Sequence, residues 1–280
     1  MKFKPILLLL VLATIGVLAA CGNSNSKEEE KVTAWEEIQD EGTIKVATSG
    51  TLYPTSFHEQ ETNDLTGFDV EIVKELANRL DLKVEFIEMG FDGMLTAVQT
   101  GKVDMAANDI GITEERKEKF ALSTPYKHSY GTAIVRAEDL SGIESINDLE
   151  GKKAAGAATT NFMKLAKKKG AEEVIYDNAT NEQYLRDVDN GRTDVILNDV
   201  YLQRLALAAF PELDLTIHPD IQYMPSEGGV LMNKQNDELI AKVNDVIEDM
   251  LEDGTIRDLS KTFFNGADVT ELPEDIEFQE

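Results

Sequence analysis

Apolar positions along this chain follow two spacings that alternate. Residues 43–48 (Thr-Ile-Lys-Val-Ala-Thr) form a short run that predicts a strand. Val70, Val73, Leu76, Ala77 and Leu80 then fall on one helical face, the mark of a helix turned toward a core. A second strand is predicted over 82–87. Phe91-Asp92-Gly93 opens another helix, with Leu95 and Val98 apolar and Gly101 placed to stop it. A third strand follows over 103–107. Strands alternating with helices predict an α/β lobe built on a largely parallel sheet.

The same grammar returns further along. Residues 152–156, 173–176 and 194–197 read as strands, and 161–169 and 181–189 as helices. A weak internal repeat supports the pairing: Gly101-Lys102-Val103-Asp104-Met105-Ala106-Ala107-Asn108-Asp109 matches Gly191-Arg192-Thr193-Asp194-Val195-Ile196-Leu197-Asn198-Asp199 as Gly, base, any, Asp, three apolar, Asn, Asp. Both copies end a predicted strand in polar groups, and open α/β sheets bind ligands at such ends. Two lobes facing each other would therefore enclose a cleft. Residues 129–135 and 226–232 each carry glycine before an apolar strand, which suits two crossings between lobes. Leu239, Ile240, Val243, Val246, Ile247, Met250 and Leu251 give the clearest amphipathic helix. With a short helix through Leu259 and Phe263, it is expected to return to the first lobe. The tail from Ala267 holds six acids and no base, and is expected to be loose.

The first twenty residues do not belong to this pattern. Lys2 and Lys4 precede an apolar stretch too short to span a bilayer comfortably, as in a signal peptide. It ends Leu18-Ala19-Ala20-Cys21, small residues before the one cysteine of the chain. That junction resembles the lipobox of bacterial lipoproteins, which implies lipid on Cys21 and a signal peptide over 1–20. Residues 21–34 are polar and read as a flexible tether. With a single cysteine no intrachain disulfide is possible, so an exported protein must rely on its core. Loss of Lys2 and Lys4 moves the formal charge from −26 to −28. Such acidity argues against nucleic acid and against broad contact with an anionic membrane surface. His58, His128 and His218 show no metal-ligand spacing, and no cofactor or metal is expected.

The chemistry concentrates at Asn108-Asp109-Ile110-Gly111-Ile112-Thr113-Glu114-Glu115-Arg116. Thr113 stands as an N-cap with two acids behind it. Arg116 then falls at the third helical position, where the helix dipole disfavours a cation. Its placement makes sense if an anion is held there by N–H groups, the Thr113 hydroxyl and the guanidinium. A surface arginine paired with Glu115 is the plainer reading when Arg116 is taken alone.

Taken in order, several pieces carry a resemblance. They are Leu65-Thr66-Gly67-Phe68-Asp69-Val70-Glu71, Ile112-Thr113-Glu114-Glu115-Arg116, Ser123-Thr124-Pro125-Tyr126, Leu149-Glu150-Gly151-Lys152, Thr159-Thr160, Gly191-Arg192-Thr193-Asp194 and Asp253-Gly254-Thr255. Over roughly residues 43–268 the chain resembles the solute-binding proteins of polar amino-acid ABC transporters. The resemblance implies a type II periplasmic-binding-protein fold: two α/β lobes joined by two hinge strands, with the ligand cleft between them. Lobe 1 would comprise 35–128 and 227–268, lobe 2 129–226, and 269–280 would be an acidic tail. It implies that Arg116 clamps an α-carboxylate, helped by Thr160 and backbone near Gly111 and Thr159, and that Asp199 accepts the α-ammonium. Leu52 and Phe91 would line the side-chain pocket. Asn108 and Asp109 make its mouth polar; Asp109 would pair with Arg116 or meet a second ammonium. Ala157-Ala158-Thr159-Thr160 and Leu197-Asn198-Asp199 resemble cystine-type members, which favours cystine or a related sulfur-containing amino acid. The expected partners are a free amino acid and the permease subunits of an importer, with the membrane reached only through the lipid. The protein is expected to be a monomer on the extracellular face. The competing readings are a dehydratase-like enzyme on the same scaffold, with Asp109 or Glu88 as general acid, and a sensor or adhesin using the cleft.

Overall fold

The computed structural model describes residues 32–272 and 276–279. The expected signal peptide, Cys21 and nearly all of the expected tether lie outside the described residues. The chain begins with α1 (Ala34–Glu41), β1 (Thr43–Thr48), β2 (Thr51–Leu52), β3 (Ser56–His58) and β4 (Leu65–Thr66). There follow α2 (Phe68–Arg79), β5 (Lys83–Glu88), α3 (Phe91–Gln99), β6 (Met105–Ala106), α4 (Glu114–Lys119) and β7 (Phe120–Leu122). The next elements are β8 (Lys127–Arg136), β9 (Lys153–Gly156), α5 (Asn161–Lys168), β10 (Glu172–Ile175), α6 (Asn181–Asp189), β11 (Ile196–Asp199) and α7 (Val200–Ala209). The chain then runs through β12 (Leu215–Ile217), β13 (Tyr223–Gly228), β14 (Leu231–Asn233), α8 (Asp237–Glu252) and α9 (Thr255–Phe263).

The first lobe is a sheet in the order β5-β1-β6-β14-β7. Strands β5, β1 and β6 are parallel, as the strand–helix alternation predicts, while β14 enters antiparallel beside β6 and β7. Helix α2 buries Val70, Val73, Leu76 and Ala77, the face that the spacing marks out. Helix α8 packs Leu239, Val243, Ile247 and Met250 into the same core, so the C-terminal helices do return to the first lobe. Each such side chain contributes about 1.5–3 kcal/mol when fully withdrawn from water.

The second lobe pairs β9 with β10 in parallel, and Ala154 bridges Val195 in parallel. Strand β11 differs: it runs antiparallel to the long strand β8, with Asp199 opposite Gly131. Strands β8 and β13 cross between the lobes side by side, Ser129 opposite Ser226 and Lys127 opposite Gly228. Gly131 is required here, because a Cβ would lie 2.3 Å from the Tyr223 ring.

The internal repeat is real in three dimensions. Gly101 and Gly191 take φ of +69° and +68°, a left-handed conformation that glycine adopts freely. Asp104 accepts from the Lys45 N–H at 2.7 Å, and Asp194 accepts from the Lys153 N–H at 2.9 Å. Each aspartate thus ties its segment to the neighbouring parallel strand, β1 or β9.

Two expectations change. Thr33, placed in the tether, caps α1 through a capping box with Glu36, and Trp35 and Ile38 are buried. The tail is packed rather than loose over its described part. Val269 is fully buried, and its carbonyl accepts from the His128 N–H at 2.7 Å. Ile276 and Phe278 pack on the first core, and Gln279 bonds to the Asp220 carbonyl. Acid content alone hid the alternating apolar residues that make these contacts.

Candidate ligand-binding site

Thr113 caps α4 as its residue type predicts, accepting from the Arg116 N–H at 3.2 Å. The Arg116 side chain turns inward and the residue is 4% exposed. Its Nη1 donates to the Gly111 carbonyl at 2.6 Å and its Nη2 to the Thr159 carbonyl at 3.3 Å. The guanidinium lies 5.4 Å from the centre of the Phe91 ring. Glu115 is not its partner: that carboxylate pairs with Lys164 at 2.6 Å. Among the described residues no carboxylate forms an ion pair with Arg116. Burial holds its pKa below the ordinary value, although a guanidinium stays protonated.

Thr160 caps α5, accepting from the Met163 N–H at 3.1 Å. Thr159 turns elsewhere, its N–H and hydroxyl donating to Asp92 at 2.9 and 2.5 Å. Asp92 opens α3, so this contact ties one lobe to the other. The cleft is further closed by the Thr51 hydroxyl on Asn178 at 2.9 Å. The Thr159 N–H expected to help a ligand carboxylate is therefore engaged by Asp92 in this closed arrangement.

The acidic end is more crowded than the sequence suggests. Asp199 caps α7, its Oδ1 accepting from the N–H groups of Tyr201 and Leu202 at 2.8 and 3.0 Å. Its Oδ2 accepts from Lys127 at 2.8 Å, and the same ammonium donates to Asp109 at 2.6 Å. Asp109 thus pairs with Lys127, and Arg116 acts on it only at longer range. Burial works most strongly against the Lys127 charge, but the two aspartates more than compensate and raise its pKa. Burial raises the Asp109 carboxyl, Lys127 opposing and Asp199 adding to the shift. Behind them Asp69 accepts from the Asp109 N–H and, at 2.8 Å, from the Tyr126 hydroxyl. Burial first, and then Asp109, push the Asp69 carboxyl up to about 6.

Beside Asp109 and Thr160 lies a cavity of about 130 Å³. Leu52, Phe91, Asn108, Asp109 and Thr160 line it, and Asn161, Asn178, Tyr184, Asn198 and Gln203 join them. Asp109 is the one charged side chain lining it among the described residues. A smaller space of about 20 Å³ shares Asp109 and is lined by Gly111, Lys127, Ser129 and Asp199. Arg116 and Thr159 do not line either space, but Arg116 touches Phe91 of the first and Gly111 of the second. Sequence reasoning missed Lys127. Its one signal was a lysine just ahead of the predicted crossing at 129–135.

Among the described residues no group of three or more His, Cys, Asp or Glu side chains is arranged to hold a metal ion, and no helix is long and apolar enough to cross a membrane. Two α/β lobes closing over a polar cavity at their strand ends define a solute-binding protein of the type II architecture. The chain belongs to the bacterial extracellular solute-binding proteins, family 3, which it matches over residues 44–266. It is 60% identical over 272 residues to the probable ABC transporter extracellular-binding protein YckB of Bacillus subtilis, covering 96% of this chain and 94% of that protein. It is 33% identical over 274 residues to the L-cystine-binding protein TcyA of the same organism, covering 95% and 99%. The crystal structure of YckB aligns with a TM-score of 0.69 at 63% identity, covering 87% of this chain and 98% of that one. These relatives are named as binding proteins, which favours capture over the dehydratase-like alternative.

Proposed function

We propose that this protein captures a polar amino acid outside the cell, cystine or a related sulfur-containing one being favoured, and delivers it to the permease of an ABC importer. The observation that carries the reading is the state of Arg116, a buried guanidinium bonded only to two carbonyls. Burying a charge without a counter-charge costs several kcal/mol, so such a site favours an incoming anion. A ligand α-carboxylate at Arg116, Gly111 and Thr160 fits that need, with the α-ammonium toward Asp109 and Asp199. Leu52, Phe91 and the amides of Asn108 and its neighbours would surround the side chain. The ligand would favour closure because it touches both lobes only in that form. The names of TcyA and its like support the cystine preference.

In this reading the lobes comprise residues 35–128 with 227–268, and 129–226. Segment 269–280 is an acidic tail. Lipid on Cys21 holds a monomer on the extracellular face. Thermal unfolding against each amino acid and cystine tests capture, since a ligand of the native form raises its melting point. A panel in which no amino acid shifts the midpoint overturns it. Metabolic labelling with a fatty acid, lost in Cys21→Ser, tests the anchor.

A further inference from the structure

We propose that Lys127 is a specificity-determining residue, an internal ammonium that neutralises one of the two site aspartates and so confines the ligand to amino acids of no net charge. The inference rests on the amino-acid reading above and concerns the same site.

The charges can be followed from end to end. Arg116 presents one positive charge with no carboxylate partner among the described residues. At the other end, Asp109 and Asp199 hold two negative charges around one ammonium, 2.6 and 2.8 Å from their oxygens. Of these three groups one net negative charge is left beside the cavity, which suits one α-ammonium; Asp69 lies behind Asp109, its oxygens taken by the Asp109 N–H and the Tyr126 hydroxyl. The Lys127 side chain is 3% exposed and carries the Phe264 ring 5.5 Å from its ammonium, so it is packed in place and does not swing out to water. Asp109 lines the cavity where the ligand side chain would extend, and no other charged residue does among the described ones. Without Lys127, Asp109 would be a bare carboxylate aimed at that side chain, and a lysine, ornithine or arginine would satisfy it. With Lys127 present, a second cation on the ligand finds Asp109 taken and an ammonium close behind it. The amide-rich wall instead offers hydrogen bonds to a neutral end, or to an end whose own charges cancel.

Calorimetry with the full chain tests this in two steps. Wild-type protein should bind at least one neutral or zwitterion-ended amino acid, cystine and glutamine among the probes, about ten-fold or more tighter than arginine, lysine or ornithine. Lys127→Met should gain affinity for arginine and lysine by about ten-fold or more, while losing its preference for the neutral ligand. The double variant Asp109→Asn/Lys127→Met keeps the net charge of the site and should show no such gain. Wild-type protein that binds a cationic amino acid as tightly as any neutral one overturns the proposal, as does a folded Lys127→Met without the gain. Should Lys127→Met fail to fold, the wild-type panel decides. If no amino acid binds the wild type, the capture reading itself fails, an outcome distinct from loss of selectivity.

Discussion

Two buried cations act on Asp109, and they are held in opposite ways. Lys127 has two carboxylates within 2.8 Å and is a finished piece of structure. Arg116 has two carbonyls and an aromatic face, which engage two of its five N–H groups but give it no paired carboxylate. The physical lesson is that burial alone does not mark a binding group. A buried charge with its counter-charge stabilises a fold through geometry, whereas one without a counter-charge is held at a cost that an outside anion relieves.

The comparison yields predictions in decreasing size. Asp199→Ala should destabilise the protein by about 3–5 kcal/mol in urea denaturation, because it leaves Lys127 short of charge and uncaps α7. Arg116→Ala should do the reverse: stability at or above wild type in the same assay, and amino-acid binding weakened by about 2–5 kcal/mol in calorimetry. If Arg116→Ala unfolds as easily as Asp199→Ala, both cations are structural and the contrast is gone.

A third prediction concerns Asp69, behind the Lys127 end. Its pKa in the folded state is raised to about 6 from 3.8, so the folded protein holds this proton more tightly than the unfolded chain does. The stabilisation is fully present below the unfolded value and is lost as pH rises through the folded one. Stability should therefore fall between about pH 4 and 6, by roughly 3 kcal/mol from this group, and Asp109, raised in the same direction, adds to the slope. Asp69→Asn should flatten that part of the profile, and an unchanged slope would assign the effect elsewhere. Smallest of all, Gly111→Ser should leave the fold intact. Its Cβ would meet Asn161 at 3.4 Å and Arg116 at 3.5 Å, ordinary contacts, and its hydroxyl would stand beside the guanidinium. A change in ligand affinity of about 0.5–1.5 kcal/mol is expected by calorimetry, the worth of one added hydrogen bond.

Much of this architecture was legible along the chain because it depends on local periodicity. The apolar faces of α2 and α8 and the paired motif ending in Asn108-Asp109 and Asn198-Asp199 can all be read directly. So can the Thr113 cap, since it rests on contacts within a few residues. Arg116 was also legible, through its misplacement against the helix dipole. The antiparallel entry of β11 was not, because β8 lies more than sixty residues before it and nothing local marks the pairing. Nor was the packing of the tail, whose acids masked Val269, Ile276 and Phe278.

What the sequence by itself determined is the two-lobed α/β plan and the cap that sets Arg116 in the first turn of α4, since short-range spacing decides helices, strands and caps. Tertiary structure alone decided what the acidic end means. Lys127, Asp109 and Asp199 are separated by 18 and 72 positions from the lysine, and only the crossing of β8 past β11 brings their charges within hydrogen-bonding distance. Electrostatic energy falls with distance in space and ignores distance along the chain, so the balance of charge in this site was fixed by folding.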